Sequence, residues 1–387
     1  MIKLFSAVAV LLLLSCAACT DSDAPQASSS SATASSPVAR PSCIVAEPPD
    51  WSAAVTAGKI DTGGVSTTAR AVTPDGEVLA VRDNGDSRDL ILIGADRSVR
   101  ELYAVPDPDT FDIGYAGVDD RWIVFALVRA PRNANGVLPT IKRIEIMDRA
   151  DGSIRTIAAQ SPADQAVIPE RNALDSVALH DGTVYWMTLD DYASDDGTVR
   201  SFDPVTGAIV DVESGPMRDL TADAGGVSWA PPGPGLPAVR IPADLPEALA
   251  EVDAADRVSV GSDGAAYGWI IGLRHGGTGV GYWSRDTGVV TVTGLDLKTV
   301  HGSPTTLVYG PFVILDKGLG GDTDTSGIVV DTRTGAVTGL EHRPGAQYDR
   351  VVDARDGVLA IDVWSGPGKG DTAVGVLDAG AWAPLRC

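Results

Sequence analysis

The chain has 387 residues, 44% of them hydrophobic, with 52 acidic against 30 basic residues and a net charge of -22. That hydrophobic share supports a real core and excludes global disorder, and the length suits one large all-β domain or two ordinary ones. The acidic balance repels phosphate backbones, so nucleic-acid binding and direct docking of the folded domain on anionic lipid are both disfavoured. It fits instead a protein kept soluble in an extracytoplasmic space.

The first element in chain order is an export signal. Met1-Ile2-Lys3 precedes an apolar run from Leu4 to Leu14, a charged start and short hydrophobic stretch that together read as a signal peptide over residues 1–15. The run is too short to span a bilayer, which takes about 20 apolar residues. Leu13-Leu14-Ser15-Cys16 resembles the lipobox of bacterial lipoproteins. That resemblance implies a diacylated Cys16 as first residue of the mature chain. Cys19, behind Ala17 and Ala18, is the alternative. Ordinary cleavage without lipid is disfavoured, because two of only four cysteines stand at this junction. The expected location is the outer face of the bacterial cell membrane, with lipid as the one membrane contact.

Residues 16–42, rich in Ser, Ala, Thr and Pro from Asp21 onward, carry no hydrophobic periodicity. They are expected to be a disordered tether with an end-to-end distance of roughly 25 Å. A domain over 43–387 follows, opened by Cys43 and ended by Cys387. In an oxidising compartment these two are expected to form a disulfide, which requires the ends of the domain to meet.

From Ala69 onward a four-strand unit recurs. Its first turn is marked by Pro74-Asp75-Gly76, Asp119-Asp120, His180-Asp181-Gly182, Gly225-Gly226, Ser262-Asp263-Gly264, Tyr309-Gly310 and Asp356-Gly357. Its later turn is marked by Asp96-Arg97, Asp151-Gly152, Asp203 to Gly207, Asp286-Thr287-Gly288, Asp331 to Gly335 and Asp378-Ala379-Gly380. Such residues supply the positive φ that hairpins need, and the flanking segments alternate as half-buried strands do. The first turns recur at about 40 to 60 residues, the spacing of propeller blades. The expected fold is a single β-propeller of about seven four-stranded blades, with six the alternative and the termini meeting at ring closure. The fourth unit, around Arg218 to Val252, is the least regular, and Pro246 to Ala250 reads as a short helix.

Ala71-Val72-Thr73-Pro74-Asp75-Gly76-Glu77-Val78-Leu79-Ala80-Val81 resembles the repeat signature of TolB-like, WD40-like (PD40-type) β-propellers. Thr73 stands in place of the usual Ser, and the other units keep only the Asp-Gly and the apolar strand after it. The resemblance implies an extracytoplasmic binding or scaffold protein.

No nucleophile elbow, phosphate-binding loop or dinucleotide fingerprint occurs, and no catalytic or metal-ligating set is assigned. His180, His275, His301 and His342 are dispersed, and His180 reads as a solvated turn residue. The acidic loops Asp83-Asn84-Gly85-Asp86, Asp190-Asp191 with Asp195-Asp196, and Asp316 with Asp322 and Asp324 offer oxygens for Ca2+, but without the full EF-hand spacing they read as turns. Trp122, Trp186, Trp229, Trp269 and Trp364, in or just after second strands, read as packing between blades.

First and third turns of a blade share one face of the ring; second loops and inter-blade links share the other. Here the second loops are long and irregular, so the recognition surface is expected on their face, at the mouth of the channel. The residues singled out there are Arg129, Asp190, Asp191, Arg274, His275, Asp316 and Trp364. The expected function is a monomeric binding or scaffold module for a protein, peptide or envelope glycan. The alternative is a hydrolase or lyase using carboxylates at the channel mouth; two carboxylates converging there, one with a raised pKa, would favour it.

Overall fold

A computed structural model describes residues 38–131, 140–231, 239–241, 246, 249, 258–272, 278–295, 305–315, 325–341, 348–364, 372–378 and 380–387. The chain opens with β1 (Val38–Pro41), β2 (Cys43–Ile44), helix α1 (Pro49–Gly58) and β3 (Lys59–Ile60). Seven antiparallel units follow. Blade I is β4 (Ser66–Val72), β5 (Val78–Asp83), β6 (Arg88–Ile93) and β7 (Val99–Ala104). Blade II is β8 (Phe111–Val118), β9 (Trp122–Arg129), β10 (Thr140–Asp148) and β11 (Ile154–Ala159), with the short helix α2 (Pro162–Gln165) after it. Blade III is β12 (Arg171–His180), β13 (Thr183–Asp191), β14 (Asp196–Phe202) and β15 (Ile209–Pro216). Three described strands make blade IV: β16 (Arg218–Asp223), β17 (Gly226–Ala230) and β18 (Val239–Ile241). Blade V is β19 (Val258–Ser262), β20 (Ala266–Ile271), β21 (Gly279–Ser284) and β22 (Gly288–Thr293). Blade VI is β23 (Thr306–Tyr309), β24 (Phe312–Leu315), β25 (Thr325–Asp331) and β26 (Ala336–Glu341). Blade VII has β27 (Tyr348–Arg355), β28 (Val358–Trp364) and β29 (Thr372–Leu377), and takes its fourth strand from β3.

The first strands form the inner ring. β4 touches β8, β8 touches β12, and β12 touches β16; on the other side β19 touches β23, β23 touches β27, and β27 returns to β4. The all-β propeller expected from the repeat is therefore present, with seven blades.

Alternation along each strand builds the core. Leu79 and Val81 of β5 join a cluster with Ile113, Ile123 and Phe125 of blade II. Val78 and Ala80 of the same strand join Val358, Ala360 and Val374 of blade VII. Successive residues face opposite neighbours, as a period of two demands. Six such clusters lie between consecutive blades, so burial holds blade to blade rather than filling one central core. The smallest cluster gathers Leu249, from the segment before blade V, with Trp269 and Val289 of that blade. Leu249 accounts for the one described residue of 246–250 in a helical turn, its N–H donating to the Pro246 carbonyl at 2.7 Å; residues 247, 248 and 250 lie outside the described residues.

Three expectations are corrected. The tether was expected to run to residue 42, yet Val38–Pro41 form a strand that lies parallel on β22. An edge strand offers free N–H and C=O groups to any extended backbone, so a segment without its own hydrophobic pattern can order there. Asp378-Ala379-Gly380 was expected to lead into a fourth strand. Instead residues 380–387 form no strand, and Lys59 and Ile60 pair with Gly375 and Val374 in that place. The ring is thus closed by a strand from the chain's beginning in its last blade. The Cys43–Cys387 disulfide is formed, with Cα atoms 5.9 Å apart, but it lies beside blade VI, where Cys43 pairs with Ala336, rather than between the first and last blades.

Candidate functional site: the channel and its second-loop mouth

The two faces of the ring differ in how their polar groups are used. On the first-turn face, Asp-Gly pairs adopt the left-handed conformation that these turns require, with φ of 45° and 70° at Asp181-Gly182 and 49° and 83° at Asp356-Gly357. Turn carboxylates also reach the next blade. Asp119 Oδ2 accepts the Gly182 N–H at 3.2 Å, and Asp263 Oδ2 accepts the Gly310 N–H at 3.0 Å. The Asp356 N–H donates to the Asp263 carbonyl at 3.1 Å. Arg149 pairs with Glu77, and Arg155 donates to the Pro204 carbonyl. These contacts tie neighbouring blades together.

Inside the ring, six of the seven first strands carry a bulge, a register shift against the second strand. The shift falls at Arg70 in β4, Gly114 in β8, Asp175 in β12 and Val352 in β27. In β16 and β19 it spans two residues and includes Asp219 and Ser259, with φ of 55° and 52°. A bulge re-aims a side chain that the pleat would otherwise bury or expose in step. In neighbouring β12 and β16 the residues treated this way are carboxylates.

Asp175 and Asp219 are both open to water, yet the surrounding ring withdraws solvent from Asp175. Loss of solvation, and then the Asp219 charge, push its carboxyl above the usual range. Tyr192 lies close by: burial and then the charges of Asp175 and Glu170 hold its phenol above the ordinary value. Glu170 is paired with the buried Lys142, whose Nζ also donates to Gln160 Oε1 at 2.9 Å. Asp195 of the second loop in blade III pairs with Arg218. The mouth beside blades III and IV is thus acidic and edged by ion pairs.

Nearer the first turns the channel carries a second group. Arg355 Nε lies 3.4 Å from Asp353 Oδ2, and the same oxygen accepts the Val72 N–H of blade I at 3.1 Å. The charges of Asp353 and then Asp223 hold the Arg355 guanidinium more firmly protonated, against the pull of burial. The Tyr115 hydroxyl accepts the Leu179 N–H at 3.1 Å and is pushed up to about 12 by burial. His180 was expected in solvent. It is half-buried instead, its Nδ1 3.2 Å from the Asp223 carbonyl, and loss of solvation lowers its pKa.

Of the residues singled out from the sequence, Arg129 ends β9, and Asp190 and Asp191 end β13, all on the second-loop face. Arg129 and Asp190 are exposed. Asp191 is half-buried, its Oδ1 accepting the Ala193 N–H at 2.9 Å. Trp364 ends β28 on the same face, its backbone opposite Tyr348 and Thr372. Arg274, His275 and Asp316 lie outside the described residues, as do Asp322, Asp324, His301 and His342. The acidic loop of blade I is a pair of Asx turns: Asp83 Oδ1 takes the Gly85 N–H at 2.8 Å, and Asn84 Oδ1 takes those of Asp86 and Ser87 at 3.0 and 2.7 Å. Among the described residues no group of three His, Cys, Asp or Glu converges as a metal site. Trp122, Trp186 and Trp229 are buried in the seams between blades, and Trp269 is buried against Leu249 and Val289.

Asp175, Asp219, Tyr192, Asp353 and Arg355 were not singled out from the sequence. The available signal was a lone carboxylate inside an apolar first strand, as in Ala173-Leu174-Asp175-Ser176-Val177.

The comparisons agree with the fold. No protein family matches this sequence, and no curated protein does either. Among solved structures, an oligogalacturonate lyase in complex with manganese is similar over 84% of this chain and 94% of its own, at 10% identity and a TM-score of 0.52. A prolyl endopeptidase is similar over 88% of this chain and 51% of its own, at 11% identity and a TM-score of 0.51. At such identities the likeness is one of fold.

Proposed function

We propose that this chain is an exported, N-terminally lipid-anchored β-propeller that binds a protein, peptide or envelope glycan on its second-loop face. The observation that carries the reading is the asymmetry just described. On the first-turn face the carboxylates of Asp119 and Asp263 are spent on backbone N–H groups of neighbouring blades, while Arg129, Asp190, Asp175 and Asp219 stand open to water on or inside the other. A rigid ring with loops on one face is a common platform for recognition. A disulfide between the ends of the fold suits an oxidising compartment. Cys16, with Cys19 the alternative, is the proposed anchor.

Binding of cell-envelope fractions to the full chain in vesicles tests this. The double variant Arg129→Ala, Asp190→Asn is expected to lose at least about tenfold in affinity, equivalent to about 1.4 kcal/mol. Exposed substitutions on the opposite face, such as Asp120→Asn, should leave it unchanged. The reverse pattern sinks the assignment of the face.

A second reading has one observation in its favour. The carboxyl of Asp175, raised by loss of solvation and then by the neighbouring Asp219 charge, offers the kind of proton-holding group that a hydrolase or lyase needs. On that reading Asp175→Asn abolishes turnover of a polysaccharide or peptide substrate but leaves its binding intact.

A further inference from the structure

The outer rim carries three strands laid on it by the chain itself. β1 runs parallel along β22, with Val38 opposite Val290 and Arg40 opposite Val292. β2 runs parallel along β26, with Cys43 and Ile44 opposite Ala336 and Val337. β3 completes blade VII. Among the described residues, blades I, II and III end instead on outer strands, β7, β11 and β15, that are each paired on one side only.

The opening residues of these strands separate blade III from the other two. β7 begins Val99-Arg100 and β11 begins Ile154-Arg155, each with a charge in second place. β15 begins Ile209-Val210, apolar in both places, as in the covered strand β26 with its Ala336-Val337. Ala336 and Val337, bordered by β2 and packed into the seams on either side of blade VI, are 0% and 1% exposed, whereas Ile209 and Val210 are 53% and 57% exposed. Val205, in the turn just before, adds to the patch. Apolar pairs at the same place in the blade are therefore sealed in one case and open in the other.

We propose that the outer edge of blade III is a strand-addition site for an extended segment of a partner protein, seated parallel to β15 as β2 is to β26. Backbone bonds along an edge strand give such binding its affinity, and alternate side chains give it selectivity. The segment would place small or β-branched residues opposite Ile209 and Val210. Beyond them β15 continues with Asp211, which is paired with Arg200, and the exposed Glu213. A lysine or arginine at the next position of the segment meets that acidity. The partner is thus a chain with a pair of small or β-branched residues followed by a basic one, and the rim already seats a segment of this kind in Val38-Ala39-Arg40.

The test uses the full chain and a synthetic peptide of residues 38–45 carrying Cys43→Ser as the probe. Saturable binding is expected, with slowed hydrogen exchange at the amides of 209–214. Val210→Lys should weaken it at least about tenfold, Val210→Thr should largely keep it, and Val99→Lys on blade I should not matter. Absence of saturable binding to the wild-type chain overturns the proposal, as does binding indifferent to Val210→Lys. A dimer in sedimentation that Val210→Lys dissociates overturns it too, by making a second copy the occupant.

Discussion

A single carboxylate in the channel responds to pH in a direction its surroundings set. Asp175 loses solvation inside the ring and feels the Asp219 charge, so the folded chain holds its proton more tightly than the unfolded chain does. Folding is therefore uncompromised at this site below the ordinary aspartate range, near pH 3.9, and loses stability as pH rises through the elevated folded value. Asp175→Asn removes the penalty. Its melting temperature is expected to exceed the wild type's at neutral pH, with the gap closing as the pH falls to about 3. Because Asp175 is open to water, the gap should stay below the roughly 2–4 °C that 1 kcal/mol gives in large domains. A gap that widens in acid would show that Asp175 is held charged instead. Nearby Tyr192 and Glu170 sharpen the same point: channel chemistry here comes from where a side chain is placed, not from its type.

At the scale of elements, the hairpin turns were the most legible part of the chain. Asp203 to Gly207 and Asp331 to Gly335 are built alike: the glycine N–H donates to the aspartate carbonyl at 2.8 Å in both, and Oδ1 accepts the N–H two residues on at 2.8 and 2.9 Å. Local chemistry writes such turns directly into sequence. Burial, which local chemistry does not reveal, separates the two. Asp331 is fully buried and its Oδ2 also accepts the Leu385 N–H at 2.9 Å, tying the C-terminal segment to blade VI. Asp331→Ala should cost about 2–3 kcal/mol in denaturant unfolding, since it leaves buried donors unmet, and Asp203→Ala under about 1 kcal/mol. Equal losses would mean that the Leu385 contact contributes nothing. Less was legible where strands are irregular or borrowed. The bulges at Asp175 and Asp219 break the period of two that marks a strand, which hid the channel carboxylates. β1 to β3 carry too few residues for any pattern, and they order because edges of blades V, VI and VII accept them.

Across the whole molecule, one strap reinforces the closure of the ring. Residues 38–60 run along blades V and VI, cross by α1, whose Trp51 stacks on Trp382 with ring centroids 4.4 Å apart, and end as β3 in blade VII. Chain connectivity then carries β3 directly into blade I, so β3 is the covalent link from last blade to first, beside the seam of Val78 and Ala80 on Val358, Ala360 and Val374. The disulfide does not bridge those blades; it fastens the strap upstream, at a sequence separation of 344. Cross-linking so long a loop restricts the unfolded chain strongly, and losing the bond should cost about 2–5 kcal/mol. Reduction or Cys387→Ser is therefore expected to lower the melting temperature, and an unchanged curve would show that the bond contributes nothing. The strap architecture makes a stricter demand. Ile60 is buried in the seam between blades VII and I, and Ile60→Ala should cost about 2–4 kcal/mol by itself. If the disulfide keeps β3 seated, the two losses act on one closure and must couple. The double variant then departs from the sum of the single losses by more than about 0.5 kcal/mol. Strict additivity would mean that strand and disulfide hold separate parts of the ring, and that the strap is two fastenings rather than one.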